Sequence, residues 1–238
     1  GLRWPIKKVA AVGAVAAGGA YLALSGASIA TQRAFIMAAV IFMAVLADRP
    51  ALTLRAVAIS ALIVLAWRPY SLLSPGFQMS FAATTALVGV YDGLKRWGWW
   101  QAQGRRAWPV ARFVLGLAIT SAVAGLATAP FAAFHFNTVP RYGLLANMLA
   151  VPIMGFVVMP AALLTLALVP LGLQGVGFWA MHMGIARILD VAHWVAGLEG
   201  AVRHVPVVPH WVLGLLALGL LVLLLVRGPA RVTGAAAA

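Results

Sequence analysis

The chain has 238 residues, of which 64% are hydrophobic and 9% charged, with a mean hydropathy of +1.01 and no cysteine. A soluble domain carries about 25% charged residues, and a chain this apolar would aggregate in water, so a soluble fold, a disulfide framework and a thiolate metal site are excluded. Seventeen Lys and Arg against four Asp and Glu give +13, much of which membrane orientation explains, because cytoplasmic loops collect basic residues.

A helix needs about 20 residues to cross the hydrocarbon core, with roughly 17 to 25 tolerated. On that measure the predicted segments are 6–24, 29–47, 51–67, 76–91, 113–130, 142–169, 175–197 and 211–226. Lys7 and Lys8 stand at the start of the first, ahead of its apolar run, which has no convincing signal-peptide cleavage site. Pro or Gly marks nearly every boundary, as helix ends require. The runs are apolar all round, without the alternation of a β-barrel strand. The fold class is therefore all-α, a polytopic transmembrane bundle of seven or eight membrane-associated helices. Gly1 at the start, and Thr233-Gly234 before four alanines at the end, suggest a piece of a longer chain.

If residues 1–8 are cytoplasmic and every segment crosses once, twelve Lys and Arg fall inside and four outside: Arg33, Arg68, Arg141 and Arg203. That bias puts the basic stretch 92–112, with Trp97, Trp99, Trp100 and Trp108, in the cytoplasm. Two segments resist the simple count. Residues 142–169 carry Pro152 and Pro160 and read as two half-helices or a kinked span. Residues 175–197 hold His182, Arg187, Asp190 and His193 on one arc of about 140°. That arc suits a wet cavity or a helix lying in the interface.

Polar groups inside such segments are costly and serve as the first functional candidates. Arg33 follows the break at Ser25-Gly26-Ala27-Ser28. The small residues allow close helix approach, and Ser28 suits an N-cap. Arg33 either snorkels to the headgroups or fixes a cation in a pore wall facing an anion. Ser74-Pro75 reads as an N-cap with proline at the first helical position. Beyond Gly76, Gln78 and Ser80 bring polar groups into the next span. They serve either interhelical hydrogen bonding or a polar path. Asn147, five residues before Pro152, either bonds a carbonyl freed by that proline or belongs to an interrupted helix at a permeation site. If Arg33, Gln78 and Asn147 all serve one path, they should approach a common polar interior. The five histidines lack the i, i+4 spacing of a helical zinc pair. No paired carboxylates and no G-x-S-x-G elbow are present. The expectation is a non-enzyme without metal or cofactor.

Residues 25–37 resemble the S-G-A-x-x-x-x-x-R-A-F-x-M motif of the ComEC competence family. Residues 74–82 resemble its P-G-F-Q-L-S-F-A motif, and residues 145–152 its L-x-A-N-L-x-A-x-P motif. The resemblance implies a partial competence (channel) domain over residues 1–230, followed by a tail at 231–238. It further implies a multi-pass inner-membrane channel for single-stranded DNA in natural transformation. The implied partners are DNA, membrane lipid, other competence-machinery proteins and the soluble domains that many members carry. Ser25, Gly26, Arg33, Gln78, Ser80 and Asn147 are the candidate path residues, with Pro75, Gly76 and Pro152 structural. The family's S-G-L-H motif, its oligonucleotide-binding-type region and its H-x-H-x-D-H motif have no counterpart in this sequence. A secondary transporter for a small anion, with Arg33 as counter-charge, is the alternative.

Overall fold

The structure, a computed structural model, describes residues 6–96, 109–206 and 209–225. Its helices are α1 (Ile6–Leu24), α2 (Ile29–Leu46), α3 (Leu54–Trp67), α4 (Pro75–Arg96), α5 (Pro109–Phe136), α6 (Gly143–Ile153), α7 (Met159–Leu168), α8 (Gln174–Ala196) and α9 (His210–Leu225). Among the described residues, four helical stretches are long and apolar enough to cross a bilayer: Ile6–Leu24, Ile29–Leu46, Pro109–Phe136 and Gly143–Leu171. The chain is an all-α membrane protein. It divides into two compact units, residues 1–100 with 209–238, and residues 101–208. The expected tail at 231–238, the tryptophans of the basic stretch and its Arg105 and Arg106 lie outside the described residues.

In the first unit α1 and α2 form an antiparallel hairpin. The turn between them uses two consecutive left-handed residues, Gly26 at φ 72° and Ala27 at φ 49°. Ser28 then caps α2, accepting from the Thr31 N–H at 3.3 Å. Gly26 has nothing within 4 Å of where a Cβ would stand, so its expected part in close helix approach is corrected. Its value is the positive φ that a Cβ would strain. The close approach occurs lower down, where the Phe35 ring lies 3.2 Å from the Cβ position of Gly18. A 2.6 Å ion pair from Lys8 to Asp48 ties the other end of the hairpin.

Thr53 caps α3 through the Ala56 N–H at 3.1 Å, so the segment expected from residue 51 begins later and is 14 residues long. That is short for a perpendicular crossing. A 3-10 turn, Pro69–Leu73, leads into α4. Ser74 caps α4 by accepting from the Phe77 N–H at 3.3 Å, and Pro75 fills the first position, where no intrahelical donor is needed. Phe77 and Phe81 stack one turn apart, ring centroids 4.4 Å apart. With Val64 they form a buried cluster onto which Ile36, Met37, Val57, Ala61 and Leu65 pack. This cluster locks α2, α3 and α4 together. α4 runs on to Arg96 rather than stopping at 91, and α9 packs beside it.

In the second unit α5 continues through Pro130 to Phe136, past the expected end. The expected kinked span is one helical path, α6 to α7, joined by a π-helical turn at Met154–Val158. Pro152 and Pro160 flank that turn and lack the N–H of an i→i−4 bond. A wider turn accommodates such gaps, here with the Met159 N–H bonding the Met154 carbonyl. α8 packs on this path through its glycines. A Cβ on Gly177 would stand 2.7 Å from the Thr165 Cα, and one on Gly184 would stand 2.7 Å from a Val158 methyl. His182, Arg187, Asp190 and His193 lie on the opposite, exposed side of α8. Arg187 and Asp190 pair at 3.3 Å with about two thirds of each side chain exposed. An unexpected strand pair, β1 (Thr138–Pro140) and β2 (Val202–His204), is antiparallel, with Val139 opposite Arg203.

Candidate functional site

The first two motifs meet in space. Arg33, one turn into α2, lays its guanidinium on the first turn of α4. A Cβ on Gly76 would stand 3.0 Å from one terminal nitrogen of Arg33 and 3.4 Å from the other. One turn further along both helices, the Ser80 hydroxyl lies 4.0 Å from the Met37 sulfur. Residues 33 and 37 thus pair with 76 and 80, so α2 and α4 run parallel here. Gly76 keeps this seat open, because a Cβ there would crowd the guanidinium.

The electrostatics of this seat are one-sided. Helix N-termini carry a partial positive charge, so a cation there is disfavoured by roughly 0.3–1 kcal/mol. Among the described residues Arg33 forms no ion pair and its N–H donors find no acceptor. The cavity at its side holds about 10 Å³, room for about one water. Gln32, Arg68 and Ser71 line it with the apolar Ile36, Val64 and Phe77. Arg68, exposed at the end of α3, adds a second cation. Two guanidinium groups and a helix N-terminus, with no carboxylate among the lining residues, form a focus for an anion such as phosphate.

The remaining candidates separate into distinct tasks. Ser25 donates to the Leu22 carbonyl at 3.1 Å and closes the end of α1. Gln78 donates to the Leu72 carbonyl at 3.0 Å and fastens the 3-10 turn to α4; it is not among the residues lining the Arg33 cavity. Asn147 lies in the second unit, exposed on α6. It makes no side-chain hydrogen bond among the described residues, so bonding a carbonyl freed by Pro152 is not its task.

Sequence reasoning passed over Arg68, Phe77 and Phe81. The phenylalanines stand four apart, which signals one helix face. Arg68 gave no such pattern, because only the turn after α3 brings it beside Arg33.

The Competence protein family model matches residues 1–230. The chain belongs to the Competence protein family. It is similar to ComE operon protein 3 of Bacillus subtilis (strain 168), with 28% identity over 145 residues, 60% of this chain and 17% of that protein. The chain thus spans less than a fifth of that relative's length by this alignment. No solved structure matches it. In this family member, the first motif contributes the cation and the second contributes the glycine that seats it.

Proposed function

We propose that this chain forms part of the path along which single-stranded DNA crosses the cytoplasmic membrane during natural transformation, acting as a channel component rather than an enzyme. The observation that carries the reading is Arg33, without an acidic partner among the described residues, held against Gly76 in the first turn of α4 beside Arg68. Phosphate contacts dominate sequence-blind nucleic-acid affinity, and a strand passing this junction offers an anion at every nucleotide. The charge bias of the sequence assigns Arg33 and Arg68 to the outer side, where a strand would enter. In the cell the path would work with other competence-machinery proteins and with the soluble domains typical of the family.

Transformation frequency of cells carrying Arg33→Ala and Arg33→Lys tests the reading. Each variant should reach the membrane in normal amounts and lose roughly ten-fold in transformation. The Lys variant also fails because an ammonium lacks the planar fork that grips phosphate. Wild-type frequency in the Ala variant overturns the role. The narrow cavity gives the small-anion transporter its support. Uptake of labelled single-stranded DNA against labelled phosphate separates the two, and phosphate uptake alone would favour the transporter.

A further inference from the structure

Beyond that junction, the first unit holds a second basic feature, further along the same face of α2. A groove of about 750 Å³ opens between α2 and α3. Its floor and walls are apolar, with Ile36 and Val40 from α2 and Ile59 and Ile63 from α3. Arg49 and Arg55 line it as well. Both belong to the end where α2 hands over to α3, since Arg49 lies in the connecting turn and Arg55 in the first turn of α3. Ile36 and Ile63 belong to the far end. The groove is therefore greasy along its length and cationic at one mouth.

The arginines at that mouth are uncommitted. Asp48, the acid next to Arg49, is drawn away by Lys8 at 2.6 Å. Among the described residues neither Arg49 nor Arg55 forms an ion pair. The stretch of α2 from Ile36 to its end at Leu46 rises about 15 Å. That is half of a roughly 30 Å hydrocarbon core. A groove as deep as one leaflet, with two guanidinium groups at headgroup level, matches the build of a phospholipid.

We infer that the α2–α3 groove is a binding site for one anionic phospholipid, with its phosphate between Arg49 and Arg55 and an acyl chain along Ile36, Val40, Ile59 and Ile63. Charge complementarity selects the occupant. An apolar helix from a second copy would fill the groove and leave both arginines desolvated without a counter-charge, which is costly. A nucleic-acid strand would satisfy the arginines and leave the apolar walls to water. The charge bias assigns both arginines to the cytoplasmic leaflet, whose anionic lipids attract basic residues. Ile36 borders both cavities, but the arginine mouth lies at the opposite end of α2 from Arg33, and the site does not depend on the DNA-path reading.

Native mass spectrometry of the purified protein, taken from vesicles of phosphatidylglycerol and phosphatidylcholine in equal parts, tests the site. One phosphatidylglycerol per chain should be retained about ten-fold over phosphatidylcholine, since two basic side chains contribute. Arg49→Gln with Arg55→Gln should abolish that preference, while Arg49→Lys with Arg55→Lys should keep it. Ile59→Trp, which fills the groove and spares both arginines, should lower retention of phosphatidylglycerol. Equal retention of the two lipids by the wild type, or an unchanged preference in the double Gln variant, overturns the proposal. A photocrosslinking side chain at Ile59 should capture lipid in membranes. Capture of a second copy or of single-stranded DNA in its place overturns lipid as the occupant.

Discussion

Arg33 is held in a position that local energetics disfavour twice. A cation within a membrane segment is costly, by about 2.5–3.5 kcal/mol at the centre of a helix and less near its ends. Seating it on a helix N-terminus adds a smaller penalty of the same sign. Strain of this kind, without an acid to relieve it among the described residues, is what a site awaiting an anion would carry. Gly76 offers a sharper test than removal of the arginine. A methyl group there would stand 3.0 Å from the end of a flexible side chain, which can move aside at little cost. Gly76→Ala should therefore displace the guanidinium while changing stability by less than about 1 kcal/mol. Transformation should fall while protein level and thermal stability in detergent hold. Normal transformation in this variant would mean that the exact seat of Arg33 is irrelevant.

In the second unit the crossing of α8 with the α6–α7 path is made where side chains are missing. Gly177 and Gly184 stand seven apart on α8; the first meets the backbone of Thr165 and the second the side chains of Val157 and Val158. Small residues at such crossings let helices pack where lipid gives no hydrophobic drive. At Gly177 the obstacle to a Cβ is the backbone of Thr165, at 2.7 Å from both its Cα and its nitrogen, so no rotamer change relieves it. Gly177→Ala should destabilise this helix pair by roughly 1–3 kcal/mol. Gly175→Ala, two residues earlier with nothing within 4 Å, should be close to neutral. Thermal unfolding of the two purified variants in the same detergent provides the comparison, and equal midpoints would refute the packing argument. The polar arc opposite, including the exposed Arg187–Asp190 pair, contributes little to stability, since such pairs are worth about 0–1 kcal/mol.

At the scale of the whole chain, hydropathy and Pro/Gly punctuation made the helices legible, because a bilayer demands long apolar runs. Their ends were less legible. Pro130 reads as a stop, yet α5 passes through it, and the widened turn between Pro152 and Pro160 has no signature beyond the prolines. The strand pair at 138–140 and 202–204 was invisible, since three residues on each side pair across 61 intervening ones, a contact that no local pattern encodes. Of the site, Arg33 and Gly76 were singled out separately, but their meeting depends on α2 and α4 running parallel. That geometry makes topology testable in a chain without native cysteine. Ala27 lies in the turn before α2, and Gly93 near the end of α4, about 25 Å of helix beyond Gly76. Both are exposed, and Gly93 has space for a side chain. If α2 and α4 both run from outside to inside, an impermeant thiol reagent on intact cells should label Ala27→Cys. Gly93→Cys should react only after the cells are permeabilised. Labelling of Gly93→Cys alone in intact cells would invert the orientation and move Arg33 away from the entry side. Labelling of both without permeabilisation would refute the crossing itself.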